Sequence, residues 1–462
     1  MFLLSLLTAS VFGVALLRVL FCRGGGSRQR LVECALGPGV GLALLSAVRF
    51  WWLVLGLSVA SYCWTEAVLV VAAVVLAARA PRPAAEAAGQ DSLWGVAPAA
   101  ALVAGQLALA GLGFWYAYAE IPDGMWDAWC FWNTKARFLS SGSEHWRLAI
   151  DPAAVSHPDY PLLLPLTVVR AWDWNSGARA AAGFVVAAFF LALTAWLLLA
   201  AVWAARGPIQ GFLAAAVYLS TSLVFHWGPS QYADIPLGYY YLAATACLVL
   251  GQERPAAAPR WLAVLGLCLS AAAWTKNEGF PWLVLGLAGA GLLAVCRGRK
   301  ARAWALLAGA VPLVITLAAF KMYSDVRGDL FGAGAHELRD KVVDTHRHAL
   351  IRWAARQVAP LWLPCLAAWL LVVGLRRPPA GWATSAVAAT MILGILGVYY
   401  GIYLITPHDL AWHLESSLDR LILQVWPAIV FLFFYHARTL GEVLARGPAP
   451  GAATPLAQTV RG

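Results

Sequence analysis

Five groups of polar residues interrupt an otherwise apolar sequence, each in a short stretch between hydrophobic runs. The first holds Asp123, Asp127 and Lys135, and the second holds His157, Asp159 and Tyr160 between closely spaced prolines. Asp234 follows alone, just ahead of Pro236; Lys276 and Glu278 share a tight turn; His408 and Arg420 lie in the segment that precedes the last apolar run. A carboxylate beside an acceptor hydroxyl can take its proton, and a lysine or arginine can stabilise a departing phosphate. Together the groups suit a reaction whose donor is a membrane lipid carrying a phosphate-linked group. Singly each has a plainer reading. Asp127 would be incidental to an interfacial anchor, Asp234 would complement a helix N-terminus, Lys276 and Glu278 would solvate a turn, and Arg420 would snorkel.

The stretch from Glu120 to Phe138, read as a helix, puts Asp127, Phe131, Thr134 and Phe138 on one face and the tryptophans on others. Such a helix rests at a membrane interface with its carboxylate near the headgroups. From Ser156 to Pro165 the prolines forbid a regular helix and predict an extended entry into the membrane.

The elements that must position these groups are transmembrane helices. Of 462 residues, 61% are hydrophobic and 12% charged, and the mean hydropathy is +0.70. A soluble fold is thereby excluded, and the short alternating segments of a β-barrel are absent. About thirteen stretches are predicted to span: Phe2–Phe21, Val32–Val54, Tyr62–Ala78, Leu93–Tyr118, Ala178–Ala204, Ile209–His226, Pro236–Leu250, Trp261–Trp274, Pro281–Val295, Ala303–Phe320, Leu361–Leu375, Trp382–Leu404 and Leu421–Tyr435. The fold class is an all-α polytopic bundle.

Phe2–Phe21 has no basic residue ahead of it, so it reads as a first span with the N-terminus outside, not as a signal peptide. Counting from there puts the short arginine-rich connections and the C-terminus inside and the five polar groups outside. One connection dissents: Lys321 to Arg356 is basic yet falls outside. The net charge of +10 is spread over short basic clusters between spans, which topology explains and nucleic-acid binding does not. The 8 cysteines are scattered without metal or disulfide spacing. Within the spans the main polar residues are Arg18, Arg49, Glu66 and Gln106, most of them expected near span ends, where snorkelling suffices.

The acidic first outside loop with Asp127, the Tyr160-Pro161-Leu162-Leu163 segment, Ala233-Asp234-Ile235-Pro236-Leu237 at a span entry and the Thr275-Lys276 turn give the chain its likeness. It resembles the GT-C superfamily of membrane glycosyltransferases, which includes protein O-mannosyltransferases and aminoarabinose transferases. The resemblance implies a helical bundle with interfacial helices in the first large loop, residues 93–440 as the catalytic module, residues 1–92 as accessory helices and 441–462 as a disordered cytoplasmic tail. It implies a polyprenyl-phosphate-linked sugar as donor and a lipid, glycan or protein acceptor on the extracytoplasmic face. Asp127 matches the family's catalytic base in an inverting transfer, Asp234 its second acidic site, and Lys276 or Arg420 would hold phosphate. The usual acidic doublet is replaced by Trp126-Asp127, so Asp123 also qualifies as base. The remaining substrate-binding candidates are Lys135, His157, Asp159, Tyr160, Glu278 and His408. A divalent metal would require Asp127 and Asp234 to converge on it. The alternatives are a lipid-linked oligosaccharide ligase or polymerase, using Arg347, Arg352 and Arg356 on a diphosphate donor, and a transporter or flippase. The alanine-rich, arginine-over-lysine composition points to the cytoplasmic membrane of a bacterium.

Overall fold

The computed structural model describes residues 2–21, 26–81, 93–141, 145–174, 179–324, 335–379 and 381–444. The expected C-terminal tail therefore lies, from residue 445 on, outside the described residues, as does the basic Arg23. Among the described residues the chain is helical, and its only strand-like pairing is a bridge between Leu375 and Ala437. The helices are α1 (Phe2–Leu20), α2 (Ser27–Val54), α3 (Val59–Arg79), α4 (Leu93–Glu120), α5 (Asn133–Ser140), α6 (Leu163–Asp173), α7 (Arg179–Arg206), α8 (Pro208–Leu219) and α9 (Ser222–Trp227). They continue with α10 (Asp234–Glu253), α11 (Ala258–Thr275), α12 (Gly279–Cys296), α13 (Lys300–Ser324), α14 (Ala335–Val343), α15 (Thr345–Val358), α16 (Trp362–Val373), α17 (Trp382–Ile405) and α18 (Leu410–His436).

Each of the thirteen apolar stretches falls on one of these helices or on a bent pair. Among the described residues, nine are long and apolar enough to cross a membrane, or eleven if the bent pairs α8/α9 and α15/α16 each count as one span. The two others, α10 and α11, lie in the centre of the bundle and are buried along nearly their whole length. A helix wrapped by other helices need not be as apolar as one facing lipid, because its polar side chains find partners in the protein.

Close approach of backbones holds the bundle together where lipid gives no hydrophobic drive. A Cβ on Gly13 of α1 would sit 1.8 Å from the Gly37 carbonyl of α2, so the contact exists only because that side chain is missing. Pro38 lies inside α2 and cannot donate to the preceding turn. Carbonyls on either side of it are bonded from α10: the Tyr239 hydroxyl donates to Ala35 at 2.9 Å and to Leu36 at 3.1 Å, and Tyr240 donates to Gly39 at 2.9 Å. Polar side chains of one helix thus find their partners on the backbone of another.

Arg49 and Glu66 do not snorkel, contrary to expectation. Arg49 pairs with Asp173 at 2.8 Å, and Glu66 pairs with Arg170 at 2.5 Å, all four side chains being buried. Their partners come from α6, a short helix that the span analysis does not contain. Tyr62 accepts from Arg170 Nε at 2.8 Å, the Thr8 hydroxyl donates to Glu66 at 2.7 Å, and Arg170 reaches the Ser5 carbonyl at 3.1 Å. These bonds attach α1, α2 and α3 to the segment that follows the first polar loop. Gln106 remains on α4 and donates to the Ala216 carbonyl at 3.1 Å.

An unpaired buried charge costs about 3–5 kcal/mol. Glu66→Ala is therefore expected to lower the thermal midpoint of the detergent-purified protein sharply, and adding Arg170→Met is expected to restore part of the loss. Equal midpoints for wild type and Glu66→Ala would show that the pair contributes nothing.

Candidate functional site

Four separated segments meet at one end of the bundle: the connection from Ile121 to Leu162, the turn ahead of α10, the turn between α11 and α12, and the first half of α18. The meeting is built on backbone detail. Gly124 has φ +84, a conformation that favours glycine, and a Cβ there would lie 2.7 Å from the Ser230 carbonyl. Gln231, itself left-handed at φ 64, donates to the Pro122 carbonyl at 3.0 Å and accepts from Asn133 at 2.9 Å. The loop carrying Asp127 is thus clamped to the turn carrying Asp234.

The expected regular helix around Asp127 is interrupted. Residues Ala128–Trp132 form a π-helical turn before α5 begins, which widens the turn and shifts the faces. Phe131 is consequently buried, whereas Trp126 and Trp129 stay exposed with their rings 4.5 Å apart. Of the expected interfacial helices, α5 is instead packed inward through Lys135, Ala136 and Leu139. The proline segment also differs: α6 starts at Leu163 and absorbs Pro165 into its first turn, where no intrahelical donor is needed.

The charged side chains form an alternating line. Asp127 accepts from Arg420 Nη1. Arg420 lies 4.0 Å from the other carboxylate oxygen-bearing neighbour, Asp234. Asp234 accepts from Lys276 at 3.0 Å, and Lys276 reaches Glu278 at 2.7 Å. The Asp234 side chain is only 2% exposed and the Asp127 side chain 22%. The line therefore holds an accessible carboxylate at one end and a sealed one at its centre. Burial by itself would push the Lys276 ammonium down, but Asp234 and Glu278 outweigh it and hold the group well above its ordinary range. Arg420 lies over the rings of Tyr232 at 5.0 Å and Trp227 at 5.5 Å, and its Nε has no protein partner. The Tyr232 hydroxyl accepts from the Asp127 backbone N–H at 3.0 Å, and burial pushes this phenol up to about 12.

The other candidates are arranged around this line. Lys135 is sealed inside the first loop and donates to the carbonyls of His157 at 2.7 Å, Pro158 at 3.3 Å and Tyr160 at 2.9 Å. It is a tie between chain segments. His157, at φ 50, stacks on Tyr160, and Tyr160 in turn stacks on Trp132. That places the Tyr160 ring 5.9 Å from Lys276 Nζ. Asp159 accepts from Asn277 at 2.6 Å, beside Lys321, which donates to Asn277 at 2.9 Å. Asp123 pairs instead with Arg137 at 3.2 Å on the exposed surface. His408 sits edge-on to the rings of Trp412 and His413, 5.7 Å and 5.9 Å away.

Residues beyond those candidates complete the surroundings. Gln424, one turn after Arg420, donates to Asp234 and accepts from Tyr399 at 2.5 Å. Tyr241 donates to the Glu278 carbonyl at 2.7 Å, and Asp419 accepts from Trp227 at 2.7 Å. Sequence gives little sign of Gln424, Tyr399 or Tyr241, since each sits inside an apolar run. Asp127 and Asp234 do not converge on a vacant position, because the Arg420 guanidinium lies between them. Among the described residues no three His, Cys, Asp or Glu side chains are grouped to hold a metal ion. This arrangement does not fit a cation bound between the two carboxylates.

The three arginines of α15 do not act together. Arg347 turns inward and donates to the Tyr403 carbonyl at 2.9 Å, while Arg352 and Arg356 are exposed. No family model, no curated protein and no solved structure matches this chain.

Two outcomes are expected from this geometry. Asp234→Asn leaves Lys276 and Arg420 short of a buried counter-charge and should cost about 3–5 kcal/mol of stability, read as a large drop in thermal midpoint. Burial pushes Lys135 down to about 7, below its unfolded value of 10.5, so between those limits the unfolded chain binds more protons. The contribution of Lys135 to stability should then rise as pH increases from about 7 towards about 10.5. The difference in thermal midpoint between wild type and Lys135→Met across that range measures it; a difference that does not change with pH contradicts the assignment.

Proposed function

We propose that this protein is a GT-C-like membrane glycosyltransferase that moves a sugar from a polyprenyl-phosphate donor to an acceptor hydroxyl, with inversion. The observation that supports this reading best is the Arg420 guanidinium held between an accessible carboxylate, Asp127, and a sealed one, Asp234. In the resting protein Arg420 neutralises Asp127. A donor phosphodiester is an alternative anion for the same guanidinium, whose Nη1 is the atom that now meets Asp127. Exchange of Asp127 for phosphate preserves one ion pair and releases a carboxylate beside the reacting carbon.

The acceptor oxygen then bonds to the anomeric carbon as the bond from that carbon to the phosphate oxygen breaks. Asp127 takes the acceptor proton, and the lipid phosphate departs as a monoester whose added charge Arg420 stabilises. Lys276 is engaged by two carboxylates and is better suited to fixing Asp234 than to meeting phosphate. Asp234 is accordingly a positioning residue for Arg420. Asp123 is occupied by Arg137 on the surface, which favours Asp127 as the base. No step needs a metal ion. The acceptor is a lipid, glycan or protein, and the site faces the extracytoplasmic side of a bacterial cytoplasmic membrane. A diphosphate-using ligase or polymerase is less well supported, since Arg352 and Arg356 point away from Arg347.

The test is turnover of short-chain polyprenyl-phosphate sugars by the purified protein. Asp127→Asn should lower kcat by at least about a hundredfold, in the range that general-base removal produces, and lower the thermal midpoint less than Asp234→Asn does, because Asp234 still faces Arg420. Arg420→Gln should instead raise KM for the donor as well as lower kcat. A folded wild type that neither binds nor cleaves any such donor overturns the proposal, and full activity in Asp127→Asn overturns the role of the base.

A further inference from the structure

The connection between α13 and α16 is the one that resisted the charge rule, and its described part has an unusual shape. α15 and α16 meet at a bend of 76°, with Pro360 at the break. If α16 follows the membrane normal, α15 must lie close to the plane of the surface. One side of α15 is fixed to the bundle: Ile351 is buried, Arg347 holds the Tyr403 carbonyl, and a His348 ring nitrogen lies 2.5 Å from the Tyr400 hydroxyl. The opposite side presents Arg352 and Arg356, one helical turn apart, with Trp353 exposed beside them. Below the bend, α16 shows lipid-type side chains outward, Leu371 and Val372 among them.

We infer that the outer face of the α15/α16 elbow binds the phosphodiester headgroup of an anionic phospholipid of the surrounding bilayer. Two guanidinium groups at i and i+4 can flank one phosphate, each offering paired N–H donors. Trp353 supplies the amphipathic ring that settles at headgroup depth, and the apolar side of α16 receives the acyl chains. The charge complementarity favours a bulk anionic lipid over the donor, because these arginines face away from the Asp127–Arg420 line. The site explains why a basic segment stands where the charge rule disfavours it: its positive charge is matched by lipid. It does not depend on the glycosyltransferase reading.

The full-length protein, in nanodiscs of phosphatidylcholine with or without phosphatidylglycerol, provides the test by native mass spectrometry and thermal midpoint. Wild type should retain phosphatidylglycerol selectively and be stabilised by it. Each arginine near an anionic surface is worth about fivefold in affinity, so Arg352→Gln with Arg356→Gln should weaken retention by about twentyfold. Arg297→Gln with Arg299→Gln, which removes two exposed arginines between α12 and α13, should leave it unchanged. Equal loss in both double variants would mean general attraction to a basic protein and overturn the inference, as would a wild type with no preference for phosphatidylglycerol. Normal transfer activity in the Arg352 and Arg356 variant is compatible with the inference and separates it from the proposed function.

Discussion

A guanidinium that has left water needs a counter-charge, and in this protein Arg420 has two within reach. Its pairing with Asp127 and its proximity to Asp234 set the order of everything around it. Asp234 can remain ionised in a sealed position only because Lys276, Arg420 and Gln424 all face it. Lys276 can remain protonated only because Asp234 and Glu278 enclose it. Since these side chains come from different connections, the demand for mutual neutralisation fixes the relative heights of α10, α11, α12 and α18. Buried pairs of this kind add little net stability against apolar replacements, but breaking one partner is costly. Their value lies in specifying one arrangement of helices that would otherwise slide in a medium as apolar as their own side chains.

The same rule operates among the N-terminal helices. Arg49, Glu66, Arg170 and Asp173 form two pairs around Tyr62, and Arg49 lies over its ring at 5.2 Å. Together with the Tyr239 and Tyr240 bonds to the carbonyls near Pro38, they make α2 part of the body. The group joins the first helices to α6, and α6 follows directly on the segment whose Tyr160 ring lies near Lys276.

How much of this was legible in the residues depends on the kind of signal. The helical class and the apolar stretches were plain, because a span writes itself as an uninterrupted run of about 20 residues. Asp127, Asp234, Lys276, Glu278 and Arg420 stood out for the complementary reason, as charges at the ends of such runs. What they did there was not legible. Spacing along the chain cannot tell that residue 420 meets residue 127, nor that Asp123 turns away to Arg137. The π-helical turn at Ala128–Trp132 has no periodicity of its own, so a regular helix was expected there. Arg49 and Glu66 looked like snorkelling residues because their partners lie on α6, whose eleven residues are too few to register as a span. Gln424, Tyr241 and Tyr399 were hidden inside apolar runs, where single polar atoms leave the overall hydropathy unchanged.

The brevity of α16 bears on how the protein is made. Its twelve residues cover about 18 Å at 1.5 Å per residue, against a hydrocarbon core of roughly 30 Å. Alone it would be a poor candidate for insertion. Leu366 packs into the core from its middle, and at its ends Trp362 donates to the Ser220 hydroxyl at 3.1 Å and Leu375 bridges to Ala437. Both anchors belong to other parts of the chain, and Ala437 is made long after α16. The bridge between Leu375 and Ala437 can form only once α17 and α18 have been made, so the placement of α16 is completed by a segment synthesised after it.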